Sequence, residues 1–362
     1  MPTFFFHSGM AGAPTNTNAA GSTLEIIRSC LVTGFNLKSV VSASVASGVM
    51  TLTYAAPHGY EDKVWLRLDG AAGGSIVQRV TTTAGASTLT IPAPGFADGA
   101  VAGTLSTRVA PADWEEAFTD INVGVFRSKV EGPASTRFFY RVSDSAAGET
   151  FYVRGFESMT DVDTGLGAFP TVAQQSGQGV LWQRSIQSSA NPWMVVADGR
   201  TCFLLASRSG ASQLTGGFFG DCYPFSSADL FFAGLARGNI SVNPLSESAS
   251  WAVPREYSGA GTATTNTTLQ TFAGAASGTR HTYPSAVDGG MVLQRPALVF
   301  SSNSMIRGQI RGLTLCSSNP IPTGSWFVVF NNLPGISGRL VVVRSAYESQ
   351  QCVAFPIDEE WA

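Results

Sequence analysis

Trp193-Met194-Val195-Val196-Ala197-Asp198-Gly199-Arg200-Thr201-Cys202-Phe203-Leu204-Leu205-Ala206 is the stretch that decides the fold class of this chain. Two apolar runs rich in β-branched and aromatic residues flank Asp198-Gly199, and an Asp-Gly pair supplies the positive φ angles that a two-residue type I′ turn requires. The segment therefore reads as an antiparallel hairpin of Trp193 to Ala197 and Thr201 to Ala206. Upstream, Phe138, Tyr140 and Val142 alternate with Arg137, Phe139 and Arg141, and a loop containing Gly148 leads into Thr150 to Phe156, which predicts a second hairpin. Downstream, strand patterns return at Met305 to Leu315, Trp326 to Phe330, Leu340 to Val343 and Cys352 to Ile357. Between them, residues 239 to 290 are dominated by Ser, Thr, Gly and Ala, as in Gly259 to Thr268. So polar a segment cannot bury a core alone, and long ordered loops are expected there.

Further out towards the start, residues 40 to 109 carry short alternating runs broken by turn residues. Met50, Leu52 and Tyr54 share one face, Val64, Leu66 and Leu68 repeat the pattern, and Leu89 and Ile91 follow it, so a small β-sandwich or barrel of five or six strands is expected. Before it, Ser22 and Glu25 have the spacing of a capping box, and Leu24, Ile26, Ile27, Cys30 and Leu31 fall on one arc of a helix that Gly34 would stop. Phe4-Phe5-Phe6-His7, followed by the flexible Gly9 to Pro14, reads as an arm that packs on something else, and Phe4, Phe5, Phe6, His7 and Met10 are the candidate assembly-interface residues. The expected fold is mainly β and multidomain. It comprises an N-terminal arm and one short helix (1–39), a small β-sandwich or barrel insert (40–109), a central antiparallel β domain (110–238), and a loop-rich segment with a C-terminal β domain (239–362).

The chain has 362 residues, of which only 13% are charged, and a formal net charge of -3. No summed positive field draws phosphates, so nucleic acid is not an expected partner. All but three of its 22 basic residues are Arg, whose planar fork suits packed ion pairs and interfaces. Five widely spaced cysteines, Cys30, Cys202, Cys222, Cys316 and Cys352, sit mostly in apolar runs without C-x-x-C spacing and read as buried free thiols made in a reducing cytoplasm. No apolar run approaches the roughly 18 residues of a membrane span, and the N-terminus lacks the basic and apolar regions of a signal peptide.

The templates for common chemistry are missing from the sequence: it contains no H-E-x-x-H, G-x-S-x-G or G-x-x-x-x-G-K. His7, His58 and His281 are too scattered for a metal cluster, and His58, between Pro57 and Gly59, reads as a turn residue. Asp161 and Asp163 before Gly165 resemble the start of a calcium loop, but Val172 stands where the bidentate Glu belongs, so an Asx-turn is the expected use. Glu115, Glu116, Asp144, Glu149 and Glu157 offer carboxylates for glycoside hydrolysis only if two of them meet across a groove, and solvated positions are the default. The expectation is a non-enzymatic protein without cofactor or metal.

Several phrases, taken in order, resemble a family of uncharacterised structural proteins of tailed bacteriophages and prophages. They are His7 to Pro14, Cys30 to Phe35, Ala97-Asp98-Gly99, Val109 to Glu115, Gly155 to Gly165, Trp193 to Arg200, Leu333-Pro334-Gly335, Leu340 to Val343, and Phe355 to Asp358 before Trp361. Together they span nearly the whole chain. The resemblance implies a virion component, assembled in the host cytoplasm as a homo-oligomer with other tail proteins, most naturally in the tail tip or baseplate. It implies no catalytic residues. A receptor- or carbohydrate-binding tail module that meets a host-surface glycan, or a head decoration or head-to-tail connector protein, are the alternatives.

Overall fold

The computed structural model describes the chain apart from residues 73, 134, 146–148, 175–178, 211–213, 237–250, 256–263, 272–282, 295, 301–305, 317–319, 323–324, 332, 334–335, 345–351 and 362. The fold is mainly β, with several antiparallel sheets and one short helix. The deciding hairpin is present as Trp193–Ala197 and Thr201–Ser207, in a register that runs from Trp193 opposite Ala206 to Ala197 opposite Cys202. Its turn differs from expectation. Asp198 N donates to Thr201 O, so Gly199-Arg200 forms the tip, and none of Asp198, Gly199 and Arg200 adopts a positive φ. The Asp198 carboxylate holds the tip instead: its Oδ1 accepts from the amides of Arg200 and Thr201, both at 2.8 Å.

This hairpin is the heart of a nine-stranded sheet. In spatial order the strands are Phe4–His7, Trp193–Ala197, Thr201–Ser207, Leu214–Pro224, Ala233–Ala236, Trp251–Val253, Thr264–Thr271, Pro296–Phe300 and Ile306–Ile310. Ile306–Ile310 pairs back on Leu214–Pro224, with Cys222 opposite Ile310, so the sheet closes on itself at that end and leaves Phe4–His7 as its open edge. The expected boundary at 238/239 is therefore crossed by strand pairing. Thr264–Thr271 also places a strand inside the segment read as loops, where Thr repeats supply a β-branched backbone preference. The remainder of that segment lies largely outside the described residues.

Side chains of the hairpin alternate between two cores. Val195, Ala197, Cys202, Leu204 and Ala206 join Phe4 and Phe6, the helix, and the insert in one cluster. Met194, Val196, Phe203 and Leu205 pack with Val341, Val343, Val353 and Phe355 in another. Those last residues belong to a C-terminal five-stranded sheet ordered Leu293–Gln294, Thr314–Cys316, Cys352–Pro356, Arg339–Arg344, Phe327–Asn331. A second five-stranded sheet runs Trp114–Asp120, Val123–Ser128, Phe139–Ser143, Thr150–Phe156, Val180–Gln183, and contains the second expected hairpin.

The insert is a small sandwich of two four-stranded sheets that spans Phe35 to Val109. Phe35–Ser39, Ser106–Val109, Trp65–Asp69 and Ile76–Arg79 form one sheet, and Thr88–Pro92, Val49–Thr53, Ser42–Ala46 and Gly99–Ala100 the other. Eight strands replace the five or six expected, because two of them are too short or too polar to announce themselves by alternation. The helix, Ser22–Arg28, buries Leu24, Ile26 and Ile27 and runs on into a π-helical turn, Ser29–Thr33, that buries Cys30 and Leu31. Gly34 stops it at a φ of 72°, where a Cβ would collide with the Val109 carbonyl. The expected capping box does not form. The N-cap is Gly21, and Asp144 Oδ2 accepts the free amides of Thr23 at 2.9 Å and Leu24 at 3.2 Å. A buried carboxylate that also pairs with buried Arg184 outcompetes a local Ser for those donors.

Candidate assembly groove

Phe4–His7 is a strand of the chain's own sheet, paired with Trp193–Ala197, and this corrects the reading of a loose arm. Alternation along the strand splits the candidate residues. Phe4 and Phe6 are 4% and 1% exposed and lie in the main core, where Phe4 meets Trp65 and Phe6 meets Phe35. They are spent on folding this chain and offer no surface to a neighbour. Met10 is also buried, although it still borders the groove described next.

Phe5 and His7 point to the other face and are half-buried. Both pack against Phe327, at ring-centroid separations of 5.9 and 5.3 Å. Together with Glu61, Trp65, Arg79 and Arg339 they line a groove of about 550 Å³. Its geometry follows from the sheets: Phe4–His7 is the open edge of the nine-stranded sheet, Phe327–Asn331 is an edge strand of the C-terminal sheet, and the insert closes one end. His7 Nδ1 accepts from Gly9 N at 3.2 Å, which leaves Nε2 to donate to Glu61 Oε2 at 3.2 Å. Trp65 Nε1 donates to Thr3 O at 2.8 Å and ties the insert to the edge strand.

Asp358 clamps the far wall. It pairs with Arg79 and with Arg339, whose Nη2 stands 2.9 Å from Oδ1, and the Arg79 guanidinium lies over the Trp65 ring. Burial alone would push the Asp358 carboxyl up, but the two guanidinium groups overturn that and hold it at about 2. Sequence reasoning missed Trp65, Phe327, Arg339 and Asp358, because they join the strand only through sheet packing across the length of the chain.

A second cavity, of about 660 Å³, opens beside Leu214–Pro224. Arg200, Asp221 and Arg311 form its polar floor, and Tyr223, Phe225 and Leu230, each 44% exposed or more, form its rim. Burial pushes the Asp221 carboxyl up against the pull of Thr136 and Arg200.

The other residues weighed from sequence are engaged within the chain. Glu115 pairs with Arg127, Glu116 with Arg28 at 2.7 Å, Asp144 with Arg184, Glu149 with Arg208 at 2.7 Å and Glu157 with Arg255, so each carboxylate considered for hydrolysis is held by its own arginine. Burial pushes the Asp144 carboxyl up to about 6, against the pull of Arg184 and the two helix amides. Asp161 Oδ1 accepts the amides of Asp163 and Thr164 at 2.8 and 2.7 Å in the expected Asx-turn, and Asp163 pairs with Arg141. His58 lies in the connection between Val49–Thr53 and Trp65–Asp69 and is buried there: it is 1% exposed, its Nδ1 accepts from Tyr60 N at 2.9 Å, and desolvation pushes its pKa down. All five cysteines are buried thiols. Among the described residues no helix is long and apolar enough to cross a membrane, and no group of three or more His, Cys, Asp or Glu side chains could hold a metal ion. No family model matches the chain, and no curated protein matches it.

Proposed function

We propose that the chain is a structural subunit of a tailed-bacteriophage virion, in the tail tip or baseplate, that works by symmetric assembly with copies of itself and with other virion proteins. The observation that carries this reading is the pair of open sheet edges, Phe4–His7 and Phe327–Asn331, that meet at one groove. An unpaired edge is a template for pairing with another chain. In a closed ring each subunit would cover the edges of the next. The ordered run of resembling phrases supplies the virion context.

Removal of residues 1–14 would take Phe4 and Phe6 out of the first core, so the informative variants are Phe5→Asp and Phe327→Asp, which alter the groove at the margin of the second core and leave Phe4 and Phe6 in place. Both are expected to give folded chains that fail to enter particles, as read by electron microscopy and particle composition. Normal incorporation of both, intact particles without this chain, or turnover of a sugar polymer by the purified protein would each overturn the proposal. A second reading, a module that binds host-surface glycans, draws on the second cavity, where exposed Tyr223 and Phe225 border Arg200 and Asp221. Binding of the isolated chain to a glycan array, abolished by Tyr223→Ala, would favour it.

A further inference from the structure

Among the described residues five arginines lay their guanidinium groups over aromatic rings: Arg79 over Trp65, Arg127 over Phe139, Arg154 over Phe156, Arg255 over Phe231 and Arg307 over Phe232. In four of them a carboxylate completes the arrangement, from Asp358, Glu115, Glu157 and Asp229 respectively. The ring takes the face of the cation and the carboxylate takes its edge. Arg154 is the exception. Its guanidinium stands 4.9 Å from the centroid of Phe156, yet among the described residues no carboxylate or carbonyl accepts from it, and its Nε is sealed from solvent without a partner.

Its neighbour makes the position worse. Arg154 lies directly opposite Arg141 on the adjacent strand, and like charges facing across a ladder destabilise it. Arg141 is compensated, with Nε donating to Val162 O at 2.8 Å and Nη2 to Asp163 Oδ1 at 2.7 Å. For Arg154, burial and then the charge of Arg141 both lower the pKa, and no acidic group offsets them. The terminal nitrogens are not among the buried unpartnered atoms, so they remain reachable from outside.

We infer that Arg154, seated on Phe156 and flanked by Arg141, is a binding site for a carboxylate carried by another protein, which supplies the partner that the four other ring-stacked arginines find within the chain. An acidic side chain of that partner protein has the required chemistry: a planar group that accepts two parallel N–H bonds at the edge of the fork. The site does not depend on the groove or on the virion assignment.

The full-length chain would be followed by thermal unfolding in chloride, acetate, a blocked glutamate dipeptide and sulfate at equal ionic strength, beside Arg154→Gln and Arg154→Lys. In chloride, Arg154→Gln is expected to unfold at the wild-type temperature or above it, because a strained charge has been removed. Acetate and the glutamate dipeptide are expected to raise the wild-type midpoint relative to chloride, and Arg154→Gln should lose that increment. Arg154→Lys, which keeps the charge and loses the fork, should lose most of it and remain folded. A lower midpoint for Arg154→Gln in chloride, an equal carboxylate increment in wild type and both variants, or an increment with sulfate alone would each overturn the inference. Should Arg154→Gln fail to fold, Arg154→Lys decides: retention of the full increment counts against the site.

Discussion

The Trp193–Ser207 hairpin and the strands of the insert are both antiparallel, but they meet the core in different ways. In the hairpin every residue of both strands is buried, because one face packs on the insert and helix and the other on the C-terminal sheet. In the insert, Val49–Thr53 and Thr88–Pro92 alternate between buried and exposed positions, because only the inner face of each sheet is covered. An unbroken apolar run in an antiparallel strand therefore reports two covering layers, and strict alternation reports one. The contrast is one of tolerance. Neighbouring residues in the hairpin should be equally sensitive to truncation, and neighbours in the insert should differ sharply.

The largest expected effect tests the hairpin. Phe203 is fully buried among Phe218, Phe355 and Trp361, and Phe203→Ala should cost about 3–5 kcal/mol by denaturant unfolding. Its neighbour Leu204, on the opposite face, should cost about 2–5 kcal/mol when cut to Ala. A cost for either below about 1 kcal/mol would break the picture of a doubly covered sheet. In the insert, Leu89→Ala should likewise cost about 2–5 kcal/mol, whereas Thr88→Ala, one residue away and exposed, should stay within about 0.5 kcal/mol.

An acid titration probes the join between the insert and the C-terminal sheet. The folded-state pKa of Asp358 lies at about 2, below its ordinary value of 3.8, so its stabilisation is complete above about pH 4 and is lost as pH falls through about 2. That loss should amount to about 2 kcal/mol, and Asp358→Asn should abolish this part of the pH dependence in equilibrium unfolding. The smallest effect belongs to His58, whose lowered pKa works in the opposite range. The unfolded chain takes up a proton below about pH 6.5 while the folded insert resists, so stability should slip slightly as pH falls below that point, and His58→Gln should flatten the slope.

The parts of the fold that sequence reading found are those set by local periodicity. The helix face, the two hairpins and the C-terminal strands each carry their signal within a few residues. What it missed was decided by distant partners. The helix is capped by Asp144, 121 residues from Thr23, and the hairpin turn is set by Asp198, whose second oxygen takes a hydrogen bond from Arg311, 113 residues away. Each buried carboxylate needed a cation that no window of sequence could name. The candidate site was half legible for the same reason. Aromatic density singled out Phe4 to His7, yet whether alternate rings face a core or a groove depends on Trp65 and Phe327, which sheet packing brings to the strand. The run of aromatic residues, which favours strands, was the available sign, and the glycines that follow obscured it.

The pairing of Phe4–His7 with Trp193–Ala197 sets a schedule for synthesis. The first strand leaves the ribosome about 10–40 s before its partner exists, at ordinary elongation rates. Throughout that interval three consecutive phenylalanines travel without a sheet to join. The schedule also makes completion of the nine-stranded sheet a late, long-range closure that the insert, whose strands pair with one another, does not have to await.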